Sequence, residues 1–138
     1  MARTHDMDRH HMMEVFRRAH DHRGSAFVEI YQNCNVFNDG AFAALTAKEH
    51  RPHMMIPLDH GRPIRFGPEG GRCVVLDPQG SPRIAEVAEV GEDAVLVHDE
   101  TREDGVAFML SRLARGPFEP TAVGVFRAVD RPEYATET

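Results

Sequence analysis

One thiol stands among amides. The run Gln32-Asn33-Cys34-Asn35-Val36-Phe37-Asn38-Asp39-Gly40 surrounds a single cysteine with three asparagines, a glutamine and an aspartate. A thiolate is both a nucleophile and a metal ligand. Amide side chains offer donors and acceptors to an anion, a cluster sulfide or a substrate. The same residues suit a turn, because Asn and Asp bond readily to nearby backbone. For Asn38 and Asp39, which run into Gly40, the turn is the expected role. Asn33 and Asn35 flank the thiol and fit either role. By residue type alone Cys34 reads as a half-buried thiol or as a ligand. The second cysteine, Cys73, lies in the apolar run Arg72-Cys73-Val74-Val75-Leu76 and reads as a core residue.

The histidines invite a metal reading. His10, His11 and Glu14 sit at one-turn spacing on an expected helix, with His20 and His22 farther along. No His-Glu-x-x-His occurs, and a face of His, Arg and Asp is expected to be a solvated one. His50 and His53 flank Pro52 and carry the same expectation. His98-Asp99-Glu100 follows a strand-like run, but no Ser or Cys nucleophile is tied to it, so capping or salt-bridging is expected there. Glu29, a charge inside an apolar run, either faces water or pairs with an arginine. No glycine-rich phosphate loop and no Gly-Asp-Gly is present; Asp39-Gly40 and Asp104-Gly105 are isolated pairs in turn-like settings.

These residues need elements to hold them. Ala26-Phe27-Val28-Glu29-Ile30-Tyr31 predicts a buried strand running directly into the cysteine loop. In α/β proteins ligands sit outside the carboxyl ends of parallel strands. Ahead of it, Met12, Val15, Phe16 and Ala19 recur at helical spacing, Asp6 or Asp8 can cap, and Arg23-Gly24 stops the helix. Met1–Thr4 is expected to fray, leaving a half βαβ unit without its first strand. Farther on, Ala41–Lys48 predicts a short helix, and His53–Leu58 is an apolar run containing Pro57. Arg62–Phe66, Arg72–Leu76, Ile84–Val90 and Ala94–Val97 are strand-like, punctuated by Gly and Pro, and predict a small, partly antiparallel elaboration. Asp104 caps an expected helix from Val106 to Ala114, ended by Gly116-Pro117; Thr121–Val129 is a last strand and Arg131–Thr138 a tail.

Composition bounds the function. The 138 residues carry 22 acidic and 16 basic side chains, a net charge of −6 that disfavours nucleic acid as a partner. Two cysteines and no apolar leader or membrane-length run imply a reduced, cytoplasmic setting.

The stretch Phe27-Val28-Glu29-Ile30-Tyr31-Gln32-Asn33-Cys34-Asn35-Val36-Phe37-Asn38-Asp39-Gly40-Ala41-Phe42 resembles a signature of the β subunits of 2-oxoacid:ferredoxin oxidoreductases, closest to the 2-oxoglutarate type. Weaker blocks follow in the expected order: His60-Gly61-Arg62-Pro63-Ile64-Arg65-Phe66-Gly67, Val97-His98-Asp99-Glu100, Ala107 to Leu113, Gly124-Val125-Phe126-Arg127 and Arg131-Pro132-Glu133-Tyr134. The resemblance is to the C-terminal portion of such a subunit. It implies an α/β fold: the C-terminal part of a thiamine diphosphate-binding parallel-sheet domain, followed by a small irregular α+β extension. Residues 1–50 would be the last helix–strand unit and cysteine loop of that domain, and 51–138 the extension.

The resemblance also implies a function. The complete enzyme decarboxylates 2-oxoglutarate oxidatively to an acyl-CoA and passes electrons through a 4Fe-4S cluster to ferredoxin. Cys34 stands where a cluster ligand would be, and Asn33 and Asn35 where they would border the cofactors. Thiamine diphosphate, Mg²⁺ and the cluster would all need residues outside this chain, since four thiolates hold such a cluster. The implied partners are the α subunit, the N-terminal part of the β subunit, ferredoxin, coenzyme A and the 2-oxoacid. No catalytic acid or base is assigned, and the chain alone is expected to be inactive. A non-catalytic truncated relic or interaction module is the competing class, and pyruvate or another 2-oxoacid the competing substrate.

Overall fold

The computed structural model describes residues 1–116 and 118–133. The chain runs β1 (Ala2–His5), α1 (Arg9–Asp21), β2 (Val28–Tyr31), α2 (Ala43–Thr46), α3 (Arg51–Met54), β3 (Met55–Leu58), β4 (Arg65–Phe66), β5 (Arg72–Leu76), β6 (Pro82–Glu86), α4 (Val87–Val90), α5 (Val106–Ser111) and β7 (Thr121–Val125). The class is mixed α/β.

The main sheet has the order β2-β1-β7-β3. β1 pairs parallel with β2 and antiparallel with β7, and β3 pairs parallel with β7. The sheet is therefore mixed rather than parallel throughout. Strands from both sides of residue 50 build it. At its centre Gly124 has φ 119°, and a Cβ there would lie 2.7 Å from the Leu58 carbonyl oxygen. No other residue fits that approach without shifting backbone.

Two expectations for the first thirty residues are corrected. Met1–Thr4 does not fray: Ala2, Arg3, Thr4 and His5 form a buried strand, so β1-α1-β2 is a complete βαβ unit. Polar side chains are buried there because distant groups satisfy them. Arg3 bonds Glu29 and the carbonyls of Ala122 and Ser111, and Thr4 Oγ1 lies 2.8 Å from His11 Nδ1. The strand leading to the cysteine loop is an edge strand, half-buried, and starts at Val28. Ala26 and Phe27 precede it and are exposed.

The helix α1 follows its spacing. Asp8 accepts the His11 N–H at 3.1 Å as N-cap. Val15 is buried, Met12 and Ala19 half-buried, and Phe16 stays exposed.

A second, antiparallel sheet has the order β4-β5-β6. Asp77 closes its hairpin by accepting the N–H groups of Gln79 and Ser81. Ile84–Val90 is not one strand: β6 ends at Glu86 and α4 follows. Ala94–Val97 is a 3-10 turn and a single bridge from Val97 to Pro63. His53–Leu58 divides between α3 and β3. Asp104, held by Arg102, accepts the Val106 N–H at 3.3 Å at the start of α5, but Gly105 is the N-cap and the helix ends at Ser111 rather than at Ala114. The calls on Pro117 and residues 134–138 lie outside the described residues.

One core joins both sheets. Ile56 and Leu58 of β3 and Ala122 of β7 meet Ile64, Phe66 and Val74, with Val106 and Leu110 of α5 and Phe126 closing it. Among the described residues, no helix is long and apolar enough to cross a membrane.

Candidate functional site

β1 and β2 run parallel, so their carboxyl ends lie together, and each opens into a polar loop. Asp6, just past β1, accepts the Asn33 N–H just past β2 at 3.2 Å. The two loop starts are thereby tied side by side. Tyr31, the last residue of β2, stacks on Phe42 beyond the loop, centroids 4.5 Å apart and planes 11° apart. Arg3 supports it from below. Its guanidinium lies 5.1 Å from the Tyr31 ring centroid and 2.7 Å from Glu29. The charge at Glu29 is thus paired with an arginine.

Asn33 organises the loop between these supports. Its Nδ2 donates to Asn35 Oδ1 at 2.6 Å and to Asp39 Oδ1 at 2.8 Å, while its Oδ1 accepts the Gly40 N–H at 2.7 Å. One side chain bridges both ends of the loop. The turn expected at Asp39-Gly40 is present, and Gly40 takes the positive φ of 75° that the turn requires.

Within this frame Cys34 is half-buried, and its carbonyl accepts the Asn38 N–H at 3.0 Å. The backbone N–H groups of Phe37, then of Val36, act to lower the thiol pKa; partial burial acts in the opposite sense, and the Asn38 N–H adds to the lowering. Successive backbone N–H groups in a turn make an anion-binding nest. The arrangement stabilises a thiolate and so prepares a nucleophile or a metal ligand. The tip of the loop is apolar and uncovered: Val36 is 82% and Phe37 90% exposed.

Cys73 sits in β5, fully buried, with Sγ 3.5 Å from the Ala85 carbonyl oxygen, and burial raises its pKa. It is the core residue its setting predicts.

His5 is a site residue that sequence reasoning missed. It ends β1 on the buried side of the sheet, its register partner is Tyr31, and its Nδ1 has no hydrogen-bond partner among the described residues. Burial, then the Arg51 charge, lowers its pKa. No local pattern marks this position, since its burial depends on strands far along the chain.

The other histidines divide as follows. His11 faces Thr4, and His10 lies 3.8 Å from Glu14 on an exposed surface. Among the described residues no three His, Cys, Asp or Glu side chains come together as a metal site. His98 is buried, with Nε2 2.7 Å from the Val125 carbonyl oxygen. A carbonyl only accepts, so Nε2 carries the proton. Asp99 caps Thr101, and Glu100 forms a two-pronged pair with Arg18 at 2.6 and 3.0 Å. Capping and salt-bridging therefore describe Asp99 and Glu100, whereas His98 is a core group.

A cavity of about 390 Å³ opens at the opposite, amino ends of β1 and β2, lined by Met1, Arg18, Phe27 and Glu100 among others. Arg18 and Glu100 in its lining pair with each other, whereas Arg127 Nε, also of the lining, is buried without a hydrogen-bond partner among the described residues; ligands of open α/β sheets gather at the carboxyl ends. The cysteine loop, at those carboxyl ends, is the candidate site.

No protein-family model matches the chain, and no solved structure matches it. A curated protein does. The 2-oxoglutarate oxidoreductase subunit KorB of Mycobacterium tuberculosis is 44% identical over 135 residues, covering 97% of this chain and 36% of the relative. The chain is similar to the C-terminal portion of that β subunit. It spans about a third of the length of KorB. The internal cysteine loop and its supporting strands fall within so extensive a match. The resemblance read from the loop thus agrees with an independent comparison of the whole chain.

Proposed function

We propose that this chain supplies the C-terminal portion of the β subunit of a 2-oxoglutarate:ferredoxin oxidoreductase, with Cys34 as one ligand of its 4Fe-4S cluster. The observation that carries the reading is the half-buried Cys34 at the carboxyl end of β2, in a loop whose backbone N–H groups act to lower its thiol pKa. The similarity to KorB supports the enzyme class.

The residues present fit one corner of a cluster. Four thiolates are needed. Cys73 is buried in the second sheet, so the other three come from outside this chain. N–H groups donating to a ligand sulfur tune the potential of a cluster. Asn33 and Asn35 border the cofactors by fixing the loop, since the Asn33 amide is already engaged within it. The sequence holds no Gly-Asp-Gly, and in this reading thiamine diphosphate and its Mg²⁺ rest on residues outside the chain. When bound, the thiamine ring supplies the electron sink for loss of carbon dioxide from the 2-oxoacid. This chain contributes the cysteine, the loop geometry and the apolar tip at Val36 and Phe37. Coenzyme A takes the acyl group and ferredoxin the electrons, in a cytoplasmic complex with an α subunit and the N-terminal part of the β subunit.

The test is reconstitution. The chain is co-purified anaerobically with the upstream portion of KorB and its α subunit. Reduction of a viologen dye is then followed with 2-oxoglutarate and coenzyme A. Turnover that needs this chain and prefers 2-oxoglutarate to pyruvate supports the reading. Assembly without turnover on any 2-oxoacid favours a non-catalytic interaction module instead.

A further inference from the structure

Several exposed arginines are met by carboxylates where they stand: Arg65 by Glu92, Arg72 by Glu86 and Arg131 by Glu103. Arg83, Arg112 and Arg115 are not. All three are exposed, and none has a carboxylate as ion-pair partner among the described residues. Glu119, just past Arg115, accepts the Arg115 backbone N–H at 2.7 Å and leaves its guanidinium unpaired. One such arginine would be an ordinary surface residue. These three line a single groove of about 450 Å³ in a chain whose net charge is −6.

The start of β6 forms one wall of the groove, and α5 with the residues after it forms the other. Between them the lining is apolar. Ile84 and Leu113 pack against the main core, while Phe108 stands 63% exposed with the Arg112 guanidinium 5.8 Å from its ring centroid. No Asp, Glu or Lys lines the groove among the described residues. Arginine with aromatic and Met side chains, free of acids and lysine, is the composition of a binding surface. β6 is an outer strand of the second sheet and begins at Pro82, which has no N–H to donate. Strand addition is blunted there, so recognition falls to side chains. A small-molecule pocket buries most of its ligand. This groove leaves its aromatic ring and its guanidiniums in solvent, which suits a polypeptide laid across it.

We propose that the groove between β6 and α5 docks an acidic segment of a partner protein, its carboxylates paired with Arg83, Arg112 and Arg115 and an apolar side chain seated against Phe108 and Leu113. Charge complementarity fixes the occupant. The planar guanidinium takes a carboxylate in two-pronged fashion, and three like charges gathered without a counter-charge favour the ligand that neutralises them. The groove takes no residue from the Cys34 loop, so it is a second site on the chain.

The probe is a fluorescently labelled synthetic peptide of glutamates flanking a central Leu-Phe pair, titrated with the whole chain and followed by anisotropy. Binding should saturate and should weaken as salt is added. It should fall at least ~10-fold when glutamines replace the glutamates, and equally when Arg83→Glu and Arg112→Glu are combined. Arg83→Gln with Arg112→Gln, a milder pair, should weaken it in the same direction. Arg9→Glu with Arg17→Glu, exposed positions on α1, changes the net charge as much as the first pair and should leave binding nearly unchanged. Amide resonances of Ile84, Phe108 and Leu113 should shift on titration. No binding of the acidic peptide, equal binding of the glutamine peptide, wild-type affinity in both Arg83 and Arg112 pairs, or shifts confined to other residues would each overturn the proposal. Displacement of the peptide by an equal concentration of inorganic phosphate overturns it in favour of a small-anion site. A homodimer abolished by the same arginine changes overturns it in favour of a second copy. Loss of peptide binding once the chain is assembled with the upstream portion of KorB overturns it in favour of a contact within the subunit.

Discussion

Cys34 and Cys73 are chemically identical side chains with opposed settings. Backbone donors lower the pKa of Cys34, and burial raises that of Cys73. At neutral pH iodoacetamide should therefore alkylate Cys34 and spare Cys73 until the chain unfolds, with the Cys34 rate profile centred below the ordinary thiol value of about 8.5. Equal rates would contradict the nest. Two buried histidines give a second prediction. Burial is the main cause lowering the pKa of both His5 and His98 below the ordinary 6.5. The unfolded chain takes up their protons more readily, so their contribution is complete above about pH 6.5 and is lost as pH falls toward their folded values. The denaturant midpoint should drop between about pH 6.5 and pH 5, before the carboxylates titrate. His98→Gln should reduce that drop, and a midpoint flat over this range would contradict the buried, neutral imidazoles.

At the scale of elements, the loop depends on Asn33 and the sheet on Gly124. Asn33→Ala removes three hydrogen bonds from an exposed loop. Global stability should change by only about 1 kcal/mol, because water replaces bonds in an exposed setting. The Cys34 alkylation profile should nevertheless move toward the ordinary thiol value as the loop loosens. An unchanged profile would show that the nest does not need Asn33. Gly124→Ala meets both a left-handed φ and the Leu58 carbonyl, and should cost at least about 2 kcal/mol in denaturant unfolding. What the sequence makes legible follows the range of the forces involved. The helix α1 is legible because its period and the Asp8 cap are local. The cysteine loop is legible because its amides cluster within nine residues. β1 is not, because Arg3 and Thr4 look solvent-facing until Glu29, Ser111, Ala122 and His11 arrive to satisfy them. The edge position of β2 is equally illegible, since it is set by β7 returning between β1 and β3.

At the scale of the whole molecule, one core unites two sheets, and the candidate site lies at one end of one βαβ unit. The resemblance in the loop and the match to KorB point to the same enzyme class, and the thiol at the loop's centre has a lowered pKa. The isolated chain should show no turnover of 2-oxoglutarate, having one cysteine in the loop and no Gly-Asp-Gly in its sequence. The most direct measurement of the central claim is the visible absorption of the anaerobically assembled complex, containing this chain, the upstream portion of KorB and the α subunit, compared between wild type and Cys34→Ala. A cluster spectrum that is stable with Cys34 and lost or labile without it is the predicted result. Identical, equally stable spectra from the two complexes would remove Cys34 from the cluster and contradict the account.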